Sequence, residues 1–529
     1  MELLSLKFIV FLILSLCAYY AVHKIAPKKQ WVILLVVSMI FYSWSGLKNF
    51  IFIFITALTV YAGSSIIQLI SKRYAAAKES GICKDELKLL KSSLQIKKRI
   101  VLYSVLLINF GILAYIKYWN TVFEGITSLF KISEGVHLSK FLLPLGISFY
   151  MFQSAGYLID VYNGKYKAER NFFKFLLFVS FFPQLIQGPI NKFDQISVSL
   201  YEPHSFDWDK TKRALFLILF GTVKKYAISN LISGSVAQIF DSPKADTPGS
   251  TIIFGILLYS IQEYADFSGG IDMLTGSAEL FGVKMMKNFR QPYFSTSLGD
   301  FWRRWHISLG AWMRDYVFYP LALTKPMQNL GKTCGKKFGK NLSRSVPAGI
   351  ANIVVFFVVG LWHGAELHFI VWGLYNGLVI AASDILSPVF SRITAALKIP
   401  AESKPFHVFR IVRTFIIVGI GRYFDRIGNI KDCMMFFKNS VCNFRFDMML
   451  SFDINKILSN HVLIMVLIFS MLVVLINSCI AERGKNMYDL LQGAHTVVRW
   501  AVYYFMIFLI FMSFMPGVTP VGGFLNENF

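Results

Sequence analysis

Charge is scarce in this chain. Asp, Glu, Lys and Arg make up only 16% of its 529 residues, while apolar residues reach 55% and aromatics 16%. Soluble domains carry about 25% charged and about 45–50% apolar residues. With a mean hydropathy of +0.53, a string of soluble domains is excluded, and residues 1–529 are expected to form a single integral membrane domain. Cysteine is equally sparse. Cys17, Cys83, Cys334, Cys433, Cys442 and Cys479 form no C-x-x-C pair and no zinc spacing, so neither a disulfide framework nor a metal site is signalled. Low-complexity tracts are absent, as are transporter-type internal repeats and a Ser or Cys nucleophile elbow. Acidic residues are the rarer sign, 30 against 54 basic, a net charge of +24. The basic residues sit in short loops between apolar runs rather than in a stripe, which argues against nucleic acid and for attraction to anionic lipid headgroups and a positive-inside bias.

What the chain has in abundance is long apolar runs. A membrane-spanning helix needs about 20 such residues, and runs of suitable character lie near 4–23, 31–45, 49–70, 100–119, 141–162, 172–190, 213–236, 250–266, 347–365, 367–387, 408–424, 462–480 and 497–516. Because several are short or interrupted, the expectation is an all-α, polytopic bundle of about 11–13 spans with re-entrant or interfacial helices. The first run, ending at His23, has no small-residue cleavage site after it and reads as a span rather than a removed signal. The loop 71–99 is rich in Lys and Arg (Lys72, Arg73, Lys78, Lys84, Lys88, Lys91, Lys97, Lys98, Arg99), and the stretches His23–Lys29 and 163–174 share its parity and its basic character. This places the N-terminus outside and 71–99 in the cytosol. Segment 282–318 breaks the hydropathy pattern and is either a cytosolic loop or a re-entrant stretch lining a cavity.

Four stretches are equipped for chemistry. Asp300–Tyr316, wound as one helix at about 100° per residue, puts Trp302, Trp305, Leu309, Met313 and Tyr316 on one face with His306 at its edge; Arg303 and Arg314 line a flank, and Arg304 and Asp315 point away. An interfacial amphipathic helix explains the aromatics, but it does not require an imidazole on the apolar side, where desolvation favours the neutral ring, a proton acceptor. Gly360-Leu-Trp362-His363-Gly364 follows an uninterrupted apolar run, so His363 sits at or inside the end of a span, where an ionisable residue is costly and functional by default. Glu366, three positions on, either orients that ring or faces the headgroups. Glu263, Asp266 and Asp272, with Ser268 among them, follow the apolar stretch 250–261. Their pattern is open to a catalytic dyad, a metal site or plain structural pairs with Arg303 or Arg304; structural or substrate-positioning roles are favoured, because no histidine accompanies them at metal-ligand spacing. Pro144–Tyr150, continuing to Asp160 and Gly164, reads as a bent helix.

Taken together, these blocks resemble the membrane-bound O-acyltransferase family, in particular its bacterial alginate O-acetyltransferase branch, with the D-alanyl transfer protein of teichoic acid as a cousin. The likeness lies in Leu143–Tyr150 with Asp160–Tyr162, Phe181–Pro189, Tyr264–Gly269 through Asn288–Ser297, Asp300–His306 with Arg314–Tyr316, and Gly360–Gly364. It covers about residues 140–380, the expected acyltransferase core, with residues 388–529 supplying further spanning helices. The chain departs from the family at Glu366 and His368, where relatives carry small or apolar residues, and at Gly419–Arg426, where they are more aromatic. The resemblance implies a funnel of helices around a central histidine. It makes His363 the catalytic histidine and His306 the second characteristic polar position. It also implies a cytosolic acyl thioester donor (acetyl-CoA or an acyl carrier protein) and a polysaccharide hydroxyl as acceptor, reached directly or through an extracytoplasmic SGNH-hydrolase-like acyltransferase partner. On this reading Trp302 and Trp305 line the acyl path, Arg303 or Arg304 binds donor phosphates, and Asp266, Ser268 and Trp362 contact substrate. D-alanyl transfer is the alternative within the enzyme class; outside it stand a transporter, whose paired broken helices are not seen, and an export scaffold.

Overall fold

A computed structural model describes residues 3–130, 144–445 and 460–515. Leu143, the start of the expected span 141–162, the stretch 131–140 and residue 516 lie outside the described residues. Among the described residues the chain is helical with no strand, as expected, and it divides into two compact units.

The first unit runs to Ala214 and includes Leu274–Met286. It holds α1 (Leu6–Ile25), α2 (Gln30–Ser43), α3 (Phe50–Glu79), α4 (Lys84–Phe130), α5 (Ile147–Tyr162), α6 (Phe172–Ser180), α7 (Phe182–Gln187) and α8 (Phe193–Tyr201). The starts of α1 and α6 are capped by side chains. Ser5 accepts from the Phe8 amide, and Asn171 accepts from the amides of Phe173 and Lys174, satisfying donors that a first turn leaves open. The expected span 172–190 is broken, because Pro183 cannot donate and begins a new short helix. The break is satisfied internally: the Phe182 amide donates to Ser38 Oγ at 3.1 Å, and Gln153 Nε2 donates to the Phe178 carbonyl at 2.9 Å. Gly146 has φ +68° and lies so close to the Leu185 carbonyl that a Cβ would collide with it, which brings the 144–150 and 181–189 blocks together.

The second unit holds Leu215–Met273 and residues from Lys287 onward. α9 (Trp208–Lys224) runs into it and continues through a π-helical turn at Lys225–Ser229 into α10 (Asn230–Phe240), followed by α11 (Gly249–Leu280). After the 288–297 segment come α12 (Leu298–Arg304), α13 (Ile307–Met313), a second π-helical turn at Arg314–Phe318, α14 (Tyr319–Ala322), α15 (Lys325–Phe338), α16 (Lys340–His363), α17 (Leu367–Ala396), α18 (Lys404–Arg426), α19 (Ile430–Cys442), α20 (His461–Glu482), α21 (Met487–Gly493) and α22 (Thr496–Met512). Its apolar core includes Val223, Ile232, Ile252, Cys433, Phe436, Leu463 and Met506, all nearly inaccessible.

Seven described helices are long and apolar enough to cross a bilayer, against the 11–13 expected spans. The difference has physical causes. α2 has 14 residues, α5 has 16 and α22 has 17, short of the about 20 a span requires. Span 172–190 is two short helices, and α11 and α18 carry charges inside their apolar stretches.

α16 and α17 form a hairpin whose seam is built of small residues. Gly373, Gly377 and Ala381 follow at four-residue intervals on α17 and meet Phe356, Ile353 and Gly349 of α16. A Cβ on Gly377 would stand 2.8 Å from Ile353 Cα, and one on Gly360 2.5 Å from the Phe369 carbonyl oxygen. Such a small-xxx-small seam lets backbones approach where lipid supplies no hydrophobic drive between helices. Gly377→Leu is therefore expected to lower the yield of folded protein and its melting temperature in detergent. Gly234→Ala, at a site with nothing within 4 Å, should hold or raise it by up to about 1 kcal/mol of helix propensity; equal melting temperatures for both would refute the seam.

Candidate active site

The α16–α17 turn delivers the first histidine. α16 ends at His363, Gly364 closes it in extended backbone, and Glu366 starts α17. The His363 ring is half-buried, edge-on to Trp362 and Trp372 with centroids 4.9 Å away in both cases, and roughly parallel to Phe369 at 5.9 Å. Glu366 is exposed. His368 points elsewhere, and its Nδ1–H donates to the Phe424 carbonyl at 2.7 Å.

The expectation of one continuous helix over 300–316 is wrong. The chain leaves α12 after Arg304, Trp305 is extended, and His306 takes a left-handed conformation (φ +46°, ψ 54°) before α13 begins. The predicted aromatic face is thereby split. Side chains with a Cβ rarely adopt this backbone region, and its cost is tolerated where surroundings over-determine it. Here Asn288 does so. Its backbone carbonyl accepts from the Ile307 amide at 2.9 Å, while its Oδ1 accepts from the Ser308 amide at 3.1 Å, from Ser308 Oγ at 2.9 Å and from His306 Nδ1 at 3.1 Å. Because a backbone N–H can only donate, the Asn288 atom facing Ser308 is the oxygen; His306 therefore carries its proton on Nδ1 and keeps the lone pair on Nε2. His306 lies between two seven-residue helices, outside the membrane-spanning segments, and complete burial pushes its pKa down to about 3.

The two histidine blocks meet on tryptophan. Trp362 contacts both imidazoles, its ring centroid 6.3 Å from that of His306 and 4.9 Å from that of His363. Trp302 packs edge-on against Trp372 at 5.5 Å, and its Nε1–H donates to Asn376 Oδ1 at 3.0 Å. Phe267 stands edge-on to His306 at 4.9 Å. Trp305 is enclosed by Phe289, Phe301, Tyr264 and Tyr293, with the Arg422 guanidinium 5.1 Å over its ring.

Other expected site residues have partners inside the unit. Arg304 does not point away: it is buried and bonds Asp300 at 3.1 Å and Glu482 at 2.9 Å. Arg303 is exposed, 3.6 Å from Asp300. The carboxylates of α11 pair with neither of these arginines. Asp266 pairs with Lys225 and Ser229, Asp272 with Lys224 at 2.5 Å, and Glu263 with Arg422; Ser268 accepts from Lys224 at 3.0 Å. Phe267 between them faces His306, since successive helical residues point about 100° apart. Sequence reasoning missed Lys224, Lys225, Arg422 and Asn288. Adjacent lysines inside an apolar run were the available signal for the first two, since an ionisable residue at that depth requires a partner. Nothing in the local sequence marks Asn288 as the anchor of a residue 18 positions away.

The model of the membrane-bound O-acyltransferase family matches residues 167–421, the stretch that contains both histidine blocks. A probable alginate O-acetylase of Azotobacter vinelandii is 32% identical over 427 residues, 80% of this chain and 74% of that protein. The chain belongs to the membrane-bound O-acyltransferase family. A probable alginate O-acetylase of Pseudomonas syringae pv. tomato is 34% identical over 328 residues, 61% of this chain and 57% of the relative's own length. A teichoic acid D-alanyltransferase of Bacillus subtilis is 29% identical over 291 residues, 53% of this chain and 67% of that protein. With its apolar helices, this makes the chain a multi-pass membrane member of that family, as the resemblance implied.

Burial of the neutral His306 gives a signed pH dependence. With a folded pKa depressed from 6.5 to about 3, its contribution to stability is fully present above the unfolded value and is lost as pH falls through that window. Melting curves in detergent from pH 7 to pH 4 should fall more steeply for the wild type than for His306→Asn, which tolerates the left-handed backbone but does not titrate; parallel curves would contradict this. Asp266→Ala should lower stability by about 3–5 kcal/mol, because it strips a buried lysine of its carboxylate, as a melting comparison with the wild type will test.

Proposed function

We propose that this acyltransferase moves an acetyl group from a thioester donor on the cytosolic side to a hydroxyl of an extracytoplasmic polysaccharide, with His363 as general base. The observation that carries this reading is that His306 and His363 both pack on one residue, Trp362, within a family whose reaction needs a base and a polarising group at a single carbonyl. His363 accepts the acceptor hydroxyl's proton as its oxygen attacks the thioester carbonyl. The tetrahedral intermediate collapses, the C–S bond breaks, and the thiolate leaves with the proton from the imidazolium. His306 stands on the carbonyl side, its tautomer set by Asn288. Transfer is direct to the hydroxyl, with no acyl-enzyme on this chain.

The donor is acetyl-CoA or an acyl carrier protein, and the exposed guanidinium of Arg303 is the group suited to its phosphates, since Arg304 is held by two carboxylates. Trp302 and Trp305 flank the acyl path, and the helices ring a funnel with His363 at its floor. The N-terminus lies outside, on the strength of the basic loop 71–99. An SGNH-hydrolase-like partner outside the membrane carries the acetyl group onward where the polymer itself does not reach the site. Acetyl is favoured over D-alanyl transfer because the alginate O-acetylase likeness extends over 80% of this chain, against 53% for the D-alanyltransferase.

In proteoliposomes supplied with acetyl-CoA and acceptor polysaccharide, His363→Ala should reduce ester formation by about 10²–10⁴-fold, the usual share of a general base, with its melting temperature unchanged. A folded variant that retains the wild-type rate would overturn the assignment. Substituting a D-alanyl donor in the same assay decides between the two acyl groups.

A further inference from the structure

The second unit contains an apolar recess that has no part in the reaction proposed above. It is about 150 Å³ and lies between α11, the 291–294 turn and α20, with Ile261, Ala265, Tyr293, Met471, Val474 and Leu475 in its walls. Few polar groups stand at its edge. The Tyr293 hydroxyl donates to the Ser260 carbonyl at 2.5 Å. The surface facing the space is almost entirely hydrocarbon. A cavity of this size with apolar walls stays dry and takes up a molecule of benzene, roughly six carbons.

The direction of the opening identifies the occupant. Leu475 both lines the recess and is 51% exposed, and it shares the outer face of α20 with Ile468, Leu472 and Ile476, which are also exposed. α20 has a mean hydropathy of 2.8 and is long enough to span the bilayer, so this face lies against lipid tails. The inner wall is the back of the site: Tyr264 and Tyr293 pack on Trp305 at 6.3 and 6.4 Å, and Trp305 precedes the strained His306. Gln291, which opens the 291–294 turn, is itself in the left-handed region at φ +41°.

We propose that this recess is a binding site for the end of one hydrocarbon chain of a bilayer lipid, seated behind the Tyr264–Tyr293–Trp305 stack. The chain fills a space that side chains leave empty and supports the turn from which His306 is presented. The proposal rests on the recess and on α20 facing lipid, not on the identity of the acyl group or its acceptor.

The test uses the full chain in nanodiscs of phosphatidylethanolamine and phosphatidylglycerol doped with a phospholipid bearing a diazirine near the end of one acyl chain. Photolabelled residues are mapped by mass spectrometry. Labelling is expected at 261–265, 291–294 and the inner positions 471, 474 and 478. Val474→Phe, which fills the recess, should reduce it at those positions by about fivefold or more while leaving Ile468 and Leu472 labelled as before. Val474→Ala, which enlarges the space, should keep or increase it. Equal inner labelling in the wild type and Val474→Phe, with both proteins showing a cooperative melt, overturns the site. Protection of the inner positions by acetyl-CoA or a longer acyl-CoA, with no effect on the outer ones, assigns the recess to the donor and overturns the lipid assignment.

Discussion

Within a bilayer no water is present to satisfy a stray charge or an open carbonyl, so each must find its complement in the protein. Much of the second unit follows from this requirement. Lys224 and Lys225 face the carboxylates of Asp272 and Asp266, and Arg422 faces Glu263 and Asp425. These pairs tie α9 and the π-helical turn after it to α11, and α11 to α18. They also fix the rotation of α11, which presents its aromatic Phe267 to His306. Buried ion pairs of this kind are weak sources of net stability but severe penalties when broken. Their effect here is on register: α11 cannot turn without stranding three charges.

Local hydrogen-bond satisfaction explains why the second histidine sits where helical geometry would not put it. The chain between α12 and α13 forgoes intrahelical hydrogen bonding for one turn, and Asn288 supplies the missing partners through its carbonyl and its amide oxygen. A single side chain therefore sets the backbone, the ring orientation and the tautomer of His306 together.

The all-α membrane class, the histidine blocks and the family were legible in the sequence because apolar runs and multi-residue motifs are local signals. The span count was less so. Periodicity and hydropathy do not separate a lipid-facing helix from a short one enclosed by protein, which is the case for α5, α6 and α7. Asp300–Tyr316 was misread for a related reason: its aromatic spacing suits one helix, and the left-handed residue that breaks it is a histidine, without the glycine that usually marks such a point. Arg304 was read as solvent-directed on the same false helix, and its partners lie on α20 and within α12. The charged segment Gly419–Arg426, a departure from the family's pattern, becomes intelligible only in three dimensions, where Arg422 pairs with α11 and covers Trp305.

The glycine seam of the α16–α17 hairpin bears on motion as well as on packing. With Gly360, Gly373 and Gly377 pressed against opposing backbone, sliding either helix along the other would drive α-carbons into carbonyl oxygens. The hairpin thus behaves as one rigid lever with His363 at its tip. Any adjustment of that imidazole toward a reacting group must come from tilting the pair as a body, or from the tryptophans that bracket the ring.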